Sequence, residues 1–107
     1  MRKVMNKYSL KCYVSLVTVY FGFKDSTLNR TDVLLYFGTP TKSEISKHLV
    51  KVIPDTIISA KKVSICDIDR KKLNIDIEEK DFEKTVEQLI LEKVKSEGIQ
   101  HSGAYYI

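Results

Sequence analysis

A chain of 107 residues with 43% hydrophobic and 30% charged side chains has the make-up of one ordinary globular domain, which excludes a disordered polymer and leaves no room for a second core. Its net charge of +4 is unevenly placed: residues 1–75 carry fourteen Lys/Arg against six Asp/Glu, and residues 76–107 carry four against eight. No run approaches the roughly 18 apolar residues of a membrane span, and the charged start (Arg2, Lys3, Lys7) is followed by a strand pattern rather than by a signal peptide's apolar core, so the expectation is a cytoplasmic protein without membrane contact.

In chain order, Tyr8 to Phe21 predicts a long strand. Tyr8, Leu10, Cys12, Val14, Leu16 and Tyr20 share one face by period two, and Ser9, Lys11, Tyr13 and Ser15 share the other. Past Val17 both faces turn apolar, which predicts cover on both sides. Gly22 to Thr31 is polar and reads as a turn, after which Asp32 to Phe37 returns antiparallel to make a hairpin.

Gly38-Thr39-Pro40 ends that strand, and Thr41-Lys42-Ser43-Glu44 is a capping box that opens a helix. Ile45, His48, Leu49 and Val52 recur at helical spacing, with His48 expected at the boundary with one hydrogen-bonded nitrogen. Lys47 and Lys51, four residues apart, fall on the outer face with Lys42 near the start, and Pro54 stops the helix.

Thr56 to Ile68 predicts a third strand, Asp69-Arg70-Lys71-Lys72 a charged turn, and Leu73, Ile75 and Ile77 a short fourth strand. Asp76 and Glu79 have the spacing of a second capping box opening a final helix. Its stripe is Phe82, Val86, Leu89, Ile90 and Val94, and Gly98 is its C-terminal cap. Residues 99–107 read as a tail without period, ending in Tyr105-Tyr106-Ile107. The order β-β-α-β-(β)-α predicts a single small α+β domain over residues 1–98, an antiparallel sheet with helices on one face.

No catalytic pattern accompanies this fold. His48 and His101 are isolated, the two cysteines lack zinc spacing, and Asp67 with Asp69 finds no third carboxylate, so no metal, cofactor or enzymatic activity is expected. Cys12 and Cys66, each in phase with apolar strand residues, read first as reduced core side chains and second as a disulfide or redox pair. Two constellations point to binding instead. Arg2, Lys3, Lys7 and Lys11 form a basic arm, and Lys61, Lys62, Arg70, Lys71 and Lys72 charge the second half of the body, the chemistry that meets a phosphate backbone. Tyr13, on the strand face of Lys11 and Ser15, is the aromatic placed for exposure and base stacking. Phe82, Val86, Tyr105 and Tyr106 are the candidates for a protein interface.

The order of features resembles the histone-like double-stranded-DNA-binding early protein of protein-primed short-tailed phages. The matching features are a basic N-terminus, a long β segment, a small helix entered from Gly38, the strand Lys62-Val63-Ser64-Ile65, and an extended stretch from Leu73 into a helix bearing Phe82. The resemblance covers roughly residues 1–90 and implies nonspecific binding of duplex DNA by dimers or arrays, with Arg2, Lys3 and Lys7 as contacts. The chain departs from that family in lacking an acidic unstructured tail. Two functions are therefore expected in competition. One is a small phage or mobile-element protein that binds duplex DNA, as a homodimer. The other is an anti-defence or host-takeover protein that inhibits a host enzyme, such as a CRISPR effector, by docking on it.

Overall fold

The computed structural model describes residues 8–23, 29–52 and 60–107, the side chains of Phe23, Val52, Ala60 and Lys61 excepted. The basic arm of Arg2, Lys3 and Lys7, the Pro54 stop, the start at Thr56 and most of the first turn lie outside the described residues. Strands β1 (Tyr8–Phe23) and β2 (Arg30–Phe37) precede helix α1 (Lys42–Val52). Strand β3 (Ala60–Ile77), a 3-10 turn (Glu79–Asp81), helix α2 (Val86–Ser96) and strand β4 (Gly103–Tyr105) follow. The strands form one mixed sheet in the order β3-β1-β2-β4, an α+β fold.

The chain divides into two compact units. The α1 unit comprises Tyr13–Lys71 and His101–Ile107, and the α2 unit comprises Met1–Cys12 and Lys72–Gln100. Strands β1 and β3 each contribute residues to both.

In the α1 unit, β1 and β2 form the expected antiparallel hairpin, in a register that runs from Val14 opposite Phe37 to Phe21 opposite Arg30. At its far end the Arg30 guanidinium lies 5.5 Å from the centre of the Phe21 ring and pairs with Asp32 at 3.0 Å. Helix α1 lays Ile45 and Leu49 against Val17, Val19, Phe21, Leu34 and Tyr36, which build the core with Val63, Ile65, Ile68 and Tyr105 at its margin. Cover on both faces of β1 begins at Val14, three residues earlier than the apolar pattern predicts, because Ser15 is fully buried with its hydroxyl hydrogen-bonded. The segment 99–107 has more structure than the periodless tail expected: Gly103–Tyr105 pair parallel to β2, and the Ser102 amide donates to the Val33 carbonyl at 2.7 Å.

Strand β3 corrects the sequence reading most. Asp69 to Lys72 make no turn; they lie inside one continuous strand that absorbs the separately expected fourth strand Leu73–Ile77. The segment has no Gly or Pro with which to reverse. A run of charge suits β3 because it is an outer strand of the sheet, where charged side chains guard an open edge. Its alternation also changes phase. Val63, Ile65 and Ile68 all pack on the same core, while Cys66 and Asp67 between them are both exposed, the shift an inserted bulge residue produces. Cys66 is consequently an exposed free thiol rather than a core side chain, while Cys12 is half-buried and burial raises its thiol pKa.

In the α2 unit, Leu73, Ile75, Leu89, Ile90 and Val94 are buried. The expected Asp76–Glu79 box is displaced. Asp81 instead accepts the Glu78 amide proton at 3.0 Å to open the 3-10 turn, and the helix starts later, from Thr85. The Thr85 hydroxyl accepts from the Gln88 amide at 3.2 Å and Gln88 Oε1 accepts from the Thr85 amide at 2.8 Å. Phe82 therefore sits in the turn ahead of the helix and is 60% exposed, and Val86, the first helical residue, is also exposed. The helix ends as expected: Gly98 takes φ +73°, its amide reaches the Lys95 carbonyl, and the Ile99 amide reaches Val94, a Schellman closure.

Candidate nucleic-acid interface

The basic face of the α1 unit is built from the turn after β2. Gly38, at φ +84°, occupies the left-handed region that glycine adopts without a Cβ penalty, and its amide donates to the Tyr13 carbonyl at 2.8 Å. Its own carbonyl accepts from the buried Ser15 hydroxyl at 2.9 Å. Arg70 closes the knot: Nη1 donates to Ser15 Oγ at 3.0 Å and Nη2 donates to the Pro40 carbonyl at 2.9 Å. A guanidinium carries five donors, so this clamp holds its plane and leaves others for a further acceptor. Tyr13 lies two residues before Ser15, hence on the same face of β1, and is 48% exposed.

From Pro40 the chain enters α1. The Thr41 amide donates to Glu44 Oε1 at 2.9 Å and the Glu44 amide donates to Thr41 Oγ1 at 3.1 Å, so both halves of the expected box form. The Thr41 amide first and its hydroxyl second, with the Lys47 charge behind them, hold the Glu44 carboxyl below the usual carboxylate range. That carboxylate is the only acidic group on the helix, and it is spent on the cap. Lys47 and Lys51 are exposed on the outer face and Lys42 is exposed at the helix start; among the described residues none of the three takes part in an ion pair.

The inner face is anchored by His48, whose Nδ1 is 3.0 Å from the Tyr36 hydroxyl, the single hydrogen-bonded nitrogen the helical pattern predicts. Burial, followed by the Lys51 charge, lowers the His48 pKa. Burial and then Tyr105 push the Tyr36 hydroxyl up to about 12, so the pair adds no charge to the face near neutral pH.

The other candidate residues are scattered through the fold. Lys62 is exposed on β3, and Lys71 pairs with Asp69 at 3.4 Å. Lys11 and Lys72 are exposed in the α2 unit. Tyr105 is half-buried in β4 with its ring 5.6 Å from that of Tyr36, and the exposed Tyr106 stacks on Phe37 at 4.7 Å. The Ser15–Arg70–Pro40 clamp was not legible in the sequence, because it joins residues from β1, β3 and the turn before α1 with no local pattern. Among the described residues no group of three or more His, Cys, Asp or Glu could hold a metal, and no helix is long and apolar enough to cross a membrane.

No family model, curated protein or solved structure matches this chain.

Proposed function

We propose that this protein binds duplex DNA through its phosphate backbone, without reading bases. The observation that carries the reading is the outer face of α1, where Lys47 and Lys51 project as exposed cations, with Lys42 exposed at the helix start and none of the three in an ion pair among the described residues. Exposed lysines released from internal pairing displace condensed counterions from DNA, and each neutralised phosphate contributes about 0.9 to the slope of log K against log salt. The fixed Arg70 fork and the exposed Tyr13 ring lie at the entry to the same helix and extend the surface a backbone would follow. Arg2, Lys3 and Lys7 add charge in the chain ahead of β1. On this reading the protein coats or organises DNA in the cytoplasm of a host cell, as a phage or mobile-element product acting as a dimer.

The test is a gel-shift titration on two unrelated duplexes across a salt series. Equal affinity for the two and a steep loss with salt are expected. The triple substitution Lys42→Ala, Lys47→Ala and Lys51→Ala is expected to flatten the slope by up to about three. Absence of any complex at low salt, or an unchanged slope in the triple variant, rejects the proposal. The competing reading, an inhibitor that docks on a host enzyme, is favoured by the exposure of Phe82 and Val86, and salt-tolerant stoichiometric binding to one protein would support it.

A further inference from the structure

The α2 unit contains an open cleft of about 450 Å³ lined by Tyr8, Ile77, Asp81, Phe82, Lys84 and Leu89. That volume falls in the range of sites that seat a small ligand or a large side chain. Its floor is apolar, and two of its aromatic walls are held rather than loose: the Tyr8 and Phe82 rings meet edge to face at 5.7 Å, yet both remain more than half exposed. A single exposed aromatic is ordinary, but a braced pair over a hollow is the geometry of an anchor site.

The rim fixes the sign of the occupant. The Lys84 ammonium is held by Asp81 at 3.1 Å and by Glu92 at 2.9 Å, so one cation lies between two carboxylates and the cluster keeps an excess negative charge. Residues 76–92 as a whole carry seven Asp/Glu and two Lys. A nucleic acid or an anionic lipid surface meets like charge here. A basic segment of protein meets apolar floor and acidic rim together.

We infer that this cleft docks a basic peptide segment of a partner protein, with one apolar side chain seated on Phe82 and Leu89 and flanking Lys or Arg drawn to the exposed Glu92 carboxylate and the acidic excess of residues 76–92. The inference does not depend on DNA binding, which rests on α1. The probe is a short fluorescein-labelled peptide with one Leu flanked on both sides by Lys, followed by anisotropy at physiological salt. Controls replace the Leu by Ser, or the lysines by Glu. Saturable binding of the first peptide is expected, with both controls at least ~tenfold weaker, and with a comparable loss in Phe82→Ser, whose side chain is largely in solvent. Glu92→Gln, which keeps the shape of the side chain, is expected to weaken binding a few-fold. Equal binding of the Leu and Ser peptides, or full binding by Phe82→Ser, overturns the inference. So does a concentration-dependent dimer that Phe82→Ser dissolves, since the cleft would then belong to a second copy. A Phe82→Ser variant that still shifts duplex DNA, and a Lys42/Lys47/Lys51 variant that still binds the peptide, keep the two proposals separable.

Discussion

Helices α1 and α2 both run eleven residues, and both start from a threonine that exchanges two hydrogen bonds with the residue three positions on. Each buries an apolar stripe, Ile45 and Leu49 in one and Leu89, Ile90 and Val94 in the other. They part on the outside. Around α2, Lys84 pairs with Asp81 and Glu92 and Lys93 with Glu97, leaving Lys95, whereas the lysines of α1 take part in no ion pair among the described residues. Ordered ion pairs on a surface contribute little stability, so the matching around α2 is not what holds that helix in place. Apolar burial and the threonine cap do that for both, which leaves the lysines of α1 and the acidic excess of residues 76–92, most of it ahead of α2, available for partners of opposite sign.

The comparison is broken most severely by changing what the helices share. Ile45→Ala and Leu89→Ala each delete a buried side chain and are expected to cost about 2–5 kcal/mol in thermal or urea unfolding. A loss under about 1 kcal/mol at either site would show that helix to be dispensable to the core. Next in size is the outer face of α1. Lys47→Glu combined with Lys51→Glu is expected to lower duplex affinity at low salt by at least ~tenfold, whereas Lys93→Glu, which breaks a pair on α2, changes it far less. Equal losses would mean that net charge, not this face, governs binding.

Smaller effects test the caps. Thr41→Ala and Thr85→Ala are each expected to cost about 1 kcal/mol, near enough to equal that calorimetry of the two variants should coincide. The smallest contrast is in pH. Glu44 has a depressed carboxyl pKa, so its contribution to α1 is complete above the ordinary Glu value and is lost as pH falls through the lower, folded value. Gln88, its counterpart in α2, does not titrate. The Thr41 amide proton is expected to shift with a midpoint below the ordinary Glu range, while the Thr85 amide stays still over the same acid titration.

The first half of the fold was open to a reading from sequence because its signals are local. Period two in β1 and the pairing of Thr41 with Glu44 each specify structure within a few residues. The second half misled for the same reason. Asp69-Arg70-Lys71-Lys72 has the local character of a turn, and only its place at the sheet edge, with Arg70 reaching Ser15 and Pro40, makes it a strand. Asp76 and Glu79 have the spacing of a cap, yet so do Thr85 and Gln88, and Asp76 is held in β3, which runs on to Ile77, so the helix starts at the later box. Strand β4 carries no periodicity in three residues and owes its existence to pairing with β2. The α1 lysines were visible from their spacing; the clamp beside them and the Tyr8–Phe82 cleft arise from tertiary contacts that no window of sequence contains.

The parallel pairing of β4 with β2 also bears on how the protein is made. Residues 34–36 find partners at 103–105 only after α1, β3 and α2 have been synthesised, and the α2 unit likewise needs the start of β1 together with residues 72–100. Neither unit is a continuous stretch of chain, so during translation neither can close on its own as the ribosome delivers it. The β1–β2 hairpin and α1 would emerge first and wait with both sheet edges open, that of β1 until β3 is made and that of β2 until β4. Stalled nascent chains ending before Gly103 should accordingly remain sensitive to protease, and gain resistance abruptly once the last strand clears the exit tunnel.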